Sequence, residues 1–569
     1  MRNTQKSAAV AAVLLAAALT ASACSSSKSA GGPSSSTSKS IPVASHNDIN
    51  VKDPKTLKQG GTLTLAVSQY SSQWDLDQVD GAEADTATVM YTMMPQLFHF
   101  DAAATPSINK DYLVSADVTS TSPKQVITYK LNPKAKWSDG TQLSAADFKA
   151  TWNALNGKNT AFNAAATTGY EQISDVSAGS DPQTVVVTFD KPFSDWKSLF
   201  SPLYPAAAKA SPDALDNFYK GKIPITAGPF GSPKLDDATK TITVTADPNW
   251  WGDKPVLDKI IFRDMEVGAQ GDAYNNHEID AFDIGPTASL YDKVKNATDS
   301  TIHYAGGPNF RHITINTQSK VLSDVAVRKA LFEATDRDTI AQVDLKGLGT
   351  WKATTLNNHF FVNNQNGYVD NASSVAKYDP EQAKKDLDAA GWVVGSDGVR
   401  AKNGVRLSIK WVEPQGVQNT SNEAGMLTTM YKAIGVELKE TPVSSDDYFD
   451  KYITPGDFDM TAYSYIGTPF PVSSNLSLYE SVTDPTKTHG NSRRDGTSAI
   501  DTLLSTAAQD TDPTKAIADA NTADKAIWGE FGLFTLYQRP DIWATKAELA
   551  NFGSFGFQDI DWTKIGFTS

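Results

Sequence analysis

NPKAKWSDGTQLSAADFKATW, residues 132–152, crowds Trp137, Asp139, Ser144 and Asp147 into eleven positions. Such a stretch is either a reaction centre or a piece of architecture. The preceding residues 126–131, VITYKL, alternate like a half-buried strand, and Ser138-Asp139-Gly140 supplies the small, polar, φ-permissive residues of a turn. Ser144-Ala145-Ala146-Asp147 then has the spacing in which a hydroxyl and a carboxylate satisfy the orphan amides of a helix start. Phe148, Trp152 and Leu155 follow at i, i+4 and i+7, so one face of that helix is apolar. The stretch therefore predicts strand, turn and capped helix. Asp147 is expected to cap the helix and complement its dipole, not to do chemistry.

The same grammar recurs outward from this point. Residues 60–67, GGTLTLAV, read as a strand entered through a glycine turn. Helices are predicted over 324–335, 379–390 and 423–433, and strands over 184–189, 241–246, 258–263, 312–316 and 405–411. Interspersed helices and strands predict mixed α/β lobes. With 569 residues, 40% of them hydrophobic, the chain can bury more than one core. Seven histidines and one cysteine leave no basis for a disulfide framework or a structural zinc site. A net charge of −14 argues against electrostatic binding to nucleic acid or an anionic membrane.

Residues 1–23 have the form of a signal peptide. Arg2 and Lys6 precede the apolar run 8–21, AAVAAVLLAAALTA, which is too short to span a bilayer comfortably. Ala21-Ser22-Ala23-Cys24 then resembles the lipobox of bacterial lipoproteins, with Ala21 standing where leucine is usual. The same residues fit an ordinary A-x-A cleavage site. Because the single cysteine stands at the cleavage point, Cys24 is expected to carry the lipid, and 24–57, rich in Ser and Gly up to Ser40, to form a tether. That places an extracytoplasmic body at the outer leaflet of the membrane, held by lipid because its charge would not hold it.

Several blocks, in order, resemble the large family of extracytoplasmic solute-binding proteins, family 5, that serve peptide- and nickel-type ABC importers. Residues 60–67 resemble its opening strand. Tyr129-Lys130-Leu131, Lys136-Trp137-Ser138-Asp139-Gly140 and 143–148 resemble its strongest signature. Gly228-Pro229-Phe230, Asp247-Pro248-Asn249-Trp250-Trp251, residues 313–317, 324–331, Asp336-Arg337 and 378–392 continue the match. The resemblance implies a two-lobed periplasmic-binding-protein-like α/β fold with a hinge and an interlobe cleft. Lobe one is expected over 58–308 and 536–569, with an inserted subdomain at about 101–214, and lobe two over 309–535. The chain would cross at Phe310-Arg311-His312 and return near Phe534-Thr535-Leu536-Tyr537. Closing lobes exclude water and let a permease tell loaded from empty receptor. The implied partners are peptides or similar solutes and the permease subunits; no cofactor or metal is implied, and a monomer is expected.

A cleft of this kind is lined by aromatic side chains with a few polar anchors. Candidates are Tyr70, Trp74 and Asp77 after the first strand; Trp411 and Glu413; Tyr463, Tyr465, Thr468 and Phe470 after a block resembling the family's GDYD; and Asn491 and Arg493 further on. In the family an aspartate that pairs with the peptide ammonium follows the aromatic residue of this segment. Here Tyr465-Ile466-Gly467-Thr468 offers Thr468 instead, so Glu413 or Asp77 would have to substitute, or the ligand would be an oligosaccharide or glycolipid stacking on 463–470.

Enzymatic readings find little support. Ser194-Asp195-Trp196-Lys197 and Ser374-Val375-Ala376-Lys377 match S-x-x-K, but Lys487-Thr488-His489 is the nearest approach to the second motif a penicillin-binding enzyme needs. Gly347-Leu348-Gly349 lacks a third glycine, with Lys352 in its place. His277-Glu278 lacks a second histidine, and His303 and His312 read as surface or hinge residues.

Overall fold

Asp147 shows why the opening stretch is architecture. In the computed structural model, which describes residues 47–482 and 490–568, the helix Ala145–Leu155 begins with the capping box its sequence predicts. The Ser144 N–H donates to Asp147 Oδ2 at 2.9 Å, and Ala146 N donates to Ser144 Oγ at 3.3 Å. The other carboxylate oxygen accepts from Ala206 N at 2.8 Å, while Trp137 Nε1 lies 3.4 Å from Oδ2. Three segments are thus tied to one buried carboxylate. The expected signal peptide, Cys24, most of the tether and Lys487-Thr488-His489 lie outside the described residues.

The apolar face of that helix covers a four-stranded antiparallel sheet, ordered Leu113–Ser120, Val126–Leu131, Thr184–Phe189, Ile173–Ala178. Phe148 sits between Tyr129 and Phe200, with ring centres 5.3 and 4.8 Å away. Alternating burial along Val126–Leu131 and Thr184–Phe189 turns one face of each strand to this contact.

A ten-stranded mixed sheet runs through the rest of the chain. Two long antiparallel strands, Ser300–Ile315 and Leu533–Lys546, form its middle. The sheet continues beyond Leu533–Lys546 through Ala281–Asp283 and Thr62–Val67, the latter parallel to Lys259–Asp264, and then Thr241–Ala246 and Phe230–Asp236. On its other side Phe310–Ile315 pairs with Met460–Tyr465, followed by Ser408–Pro414 and Glu437–Val443. Two large apolar cores flank this arrangement. One draws chiefly on residues between 49 and 281 and between 549 and 565, the other on residues between 273 and 462 and between 528 and 544.

The pairing of the two long strands is irregular between Gly306 and Phe310. A side chain on Gly307 would lie 2.9 Å from the Arg539 carbonyl, so glycine here permits close approach of two backbones. The strand predicted over 312–316 is consequently much longer than expected, because Gly306-Gly307-Pro308 reads as a turn in sequence while tertiary pairing keeps it extended. The helix expected over 423–433 starts earlier, as Gln418–Ala433. Its polar opening has no apolar period, yet Thr420 and Glu423 are buried against Arg311 of the long strand. Arg311 grips the Glu423 carboxylate with two hydrogen bonds of 2.7 and 2.6 Å.

Candidate functional site

Two adjoining cavities of about 380 and 350 Å³ lie where the N-terminal third of the chain meets residues beyond 308. The larger is walled by 103–106 and 194–197 on one side and by Phe361, 469–472 and Ile517 on the other. The smaller lies between Tyr91, Phe98, Phe100 and Asp559 on one side and Pro308 of the long strand with the loop holding Gly467 and Phe470 on the other. Lys197, Pro469 and Phe470 border both. Phe100 meets Phe470 edge to face at 5.3 Å.

The backbone also joins the two sides. Asp195 Oδ2 accepts from Ser473 N at 2.9 Å in the first turn of the helix Pro471–Tyr479, where a carboxylate satisfies an orphan amide and the helix dipole together. Ser194 N donates to Ala508 O at 2.8 Å, and Asn366 N to Ala103 O at 3.1 Å. A Cβ on Gly467 would fall 1.9 Å from the Pro308 carbonyl, and Gly467 N donates to Asn309 Oδ1 at 3.2 Å. The two sides are therefore in direct contact, and the loop after Met460–Tyr465 packs tightly against the irregular segment of the long strand.

The candidate residues divide by what they touch. Phe470 lines both cavities. The Thr468 hydroxyl lies 2.9 Å from Ser474 Oγ and accepts from Phe470 N, so it shapes the entry to Pro471–Tyr479. Tyr463 and Tyr465 are half-buried and hold His312 between them, with ring centres 4.4 and 4.1 Å from the imidazole. Tyr70 is half-buried, edge-on to Trp74 at 6.1 Å, with Lys240 over its ring. Burial, reinforced by Asp237, pushes the Tyr70 hydroxyl up to about 12.

The remaining candidates are held by their own surroundings. Trp74 and Trp411 are buried in the two cores. Trp411 Nε1 donates to Glu413 Oε2 at 3.3 Å, and burial raises the pKa of the Glu413 carboxyl. Asp77 is bound by Lys209, whose fully buried ammonium lies 2.9 Å from Asp77 and 2.5 Å from Asp75. Asn491 is buried and donates to Glu480 O and Asp495 O. Arg493 pairs with Asp495 at 2.9 Å and lies over the Tyr479 ring. An aromatic or charged residue just after a strand suits a cavity wall and a core equally well in sequence; the contacts brought from distant segments decide between them.

Both histidines read as surface or hinge residues are buried, so neither is a surface residue. His303 is held by Asp48 and Thr545, each at 3.0 Å. His312 lies 3.1 Å from Thr314 Oγ1, and burial followed by Arg311 drives its pKa well below the usual histidine value, so it packs as a neutral ring. Sequence reasoning missed Phe100, Asp559 and Lys197 as cavity residues. Ser194-Asp195-Trp196-Lys197 had drawn notice as an S-x-x-K match; its Trp196 is core and its Asp195 is the cross-cavity cap.

A model of "Bacterial extracellular solute-binding proteins, family 5 Middle" matches residues 111–487. The chain belongs to this family of extracellular solute-binding proteins. The oligopeptide-binding protein OppA of Mycobacterium tuberculosis is 36% identical over 532 residues, covering 92% of this chain and 88% of that one. Among solved structures, the periplasmic EDTA-binding protein EppA matches with a TM-score of 0.80 at 22% identity, covering 94% of this chain and 100% of that one. The oligopeptide-binding protein AppA from Bacillus subtilis, in complex with a nonapeptide, matches with a TM-score of 0.71 at 18% identity, covering 90% and 100%. This family 5 protein thus has the two-lobed fold of periplasmic solute-binding proteins. Among the described residues no helix is long and apolar enough to cross a membrane.

Proposed function

We propose that the chain is the peptide-capturing receptor of an ABC importer, closing its lobes on a ligand and presenting the loaded form to a membrane permease. The observation that carries this reading is the 36% identity to an oligopeptide-binding protein along 92% of the chain. The paired cavities support it, because a hollow between two bodies that can close on each other is what a carrier of small solutes needs. Lobe one comprises 58–308 and 536–569 with an insert at about 101–214, and lobe two comprises 309–535. The two long strands carry the crossings. Phe470 faces the ligand in both cavities, and Tyr463, Tyr465 and Thr468 set the strand and loop that carry it; Tyr70, Trp74, Asp77, Trp411, Glu413, Asn491 and Arg493 line neither cavity. A lipid on Cys24 ties the body to the outer leaflet.

Native mass spectrometry of the chain from Ser25, purified without denaturation, tests the reading. A heterogeneous set of peptide masses that dissociates on unfolding is expected. Hexose-spaced or lipid masses would replace the peptide reading with that of an oligosaccharide or glycolipid carrier. No bound mass, together with no thermal shift from added peptides, would overturn the peptide reading.

A further inference from the structure

Four buried carboxylates in this protein have cations beside them, whereas Asp147 and Glu413 are held by hydrogen bonds alone. Lys209 serves Asp75, Arg311 serves Glu423, Arg493 serves Asp495 and Lys546 serves Asp280. This is the arrangement that makes a charge affordable away from water. Asp559 departs from it. Its side chain is 22% exposed and borders the 350 Å³ cavity. Its Oδ2 accepts from Phe100 N at 2.9 Å, and among the described residues no lysine or arginine pairs with it.

The groups around Asp559 do not supply the missing charge. His99 Nδ1 is 3.9 Å away, and burial lowers the pKa of that imidazole, favouring its neutral form. Tyr91 is a phenol whose ionisation would add negative charge. Lys197 borders the same cavity but holds its ammonium 5.5 Å from the centre of the Trp196 ring. From the second lobe come Pro308, Gly467, Pro469 and Phe470, all uncharged. The result is an aromatic-walled cavity with one uncompensated carboxylate, which favours a compact organic cation through charge pairing and ring faces together.

We propose that Asp559 is the anchor for the ligand's ammonium group, and that the smaller cavity is the subsite for the amino end of a peptide. This rests on the peptide reading above. It also accounts for Thr468 standing where an acid was expected: the carboxylate comes from the C-terminal segment of lobe one, on the opposite wall from Gly467 and Pro469.

The test is a native mass-spectrometric competition on the chain from Ser25, with equimolar pools of random pentapeptides bearing a free amino terminus and the same pools N-acetylated. The wild type is expected to take the free-amine pool at least about tenfold over the acetylated pool. Asp559→Asn keeps an oxygen for Phe100 N and is expected to bring that ratio close to one. Asp561→Asn, beside it but paired with Lys564 and outside the smaller cavity, is expected to leave the ratio unchanged. A wild type that takes both pools equally, or an Asp559→Asn protein that keeps the preference, overturns the proposal while leaving peptide capture intact. A wild type that takes neither pool overturns peptide capture and this proposal together. The wild-type ratio stands even where the variant fails to fold.

Discussion

Lys209 illustrates how a single side chain holds buried charge in place. Its ammonium is fully buried between Asp75 and Asp77 and lies 4.3 Å from the centre of the Tyr204 ring. Lys209→Met would leave the Asp75 carboxylate buried without its cation, a loss of roughly 3–5 kcal/mol for a broken buried pair; urea unfolding monitored by tryptophan fluorescence checks it, and an unchanged midpoint contradicts it. At Asp559, burial pushes the carboxyl up from its ordinary value to about 7. A carboxyl raised in the folded state holds a proton the unfolded chain has released. Its contribution to ligand-free stability therefore falls as pH rises from about 4 to about 7 and is level above that. Ammonium binding requires the ionised form, so peptide affinity is expected to rise from pH 5 to pH 8. Titration calorimetry of wild type and Asp559→Asn isolates this group, because the variant retains whatever His99 contributes and should lose most of the rise.

Two elements set the geometry around the cavities. The loop after Met460–Tyr465 passes the long strand so tightly that Gly467 has a carbonyl where a side chain would be. Gly467→Ala is expected to force the loop off Pro308, at a cost on the order of 1–3 kcal/mol for overpacking, and to weaken peptide binding with it. A variant with wild-type melting and wild-type affinity would show that the loop yields freely. The helix Pro471–Tyr479 takes a carboxylate for its first turn from the opposite wall of the larger cavity, through Asp195. Asp195→Ala removes a helix cap, about 0.5–2 kcal/mol, and with it a tie across the larger cavity. Small-angle scattering of the ligand-free variant should show a larger radius of gyration than the wild type, and an identical curve would rule out this role. Element signals were legible where side chains interact locally, as at Ser144 with Asp147, and were hidden where distant contacts hold the chain, as over Ser300–Ile315.

For the whole molecule, the two long strands are the shared members of both halves of the sheet, and the irregular pairing at Gly306 and Phe310 makes the junction between them its natural point of bending. Arg311, gripping Glu423 just past that point, fixes the long strand to the helix Gln418–Ala433. At this scale Cys24→Ala in cells is expected to move the protein from the membrane fraction to the medium; retention on the membrane would contradict the lipid anchor. What the sequence by itself determined is everything written in local or ordered patterns: the capped helix at 144–155, the alternating strands beside it, the acidic surface, and the block order that places the chain in its family. The tertiary structure decided which aromatic and charged residues face a cavity. Trp411 and Asp77 look as available as Phe470 in sequence, but Trp411 is enclosed by core and Asp77 bound by Lys209, while Asp559, unremarkable in its own segment, becomes a cavity carboxylate because Phe100 and the loop at Gly467 are folded against it. Whether a charge is compensated depends on neighbours hundreds of positions away, and no local pattern encodes that.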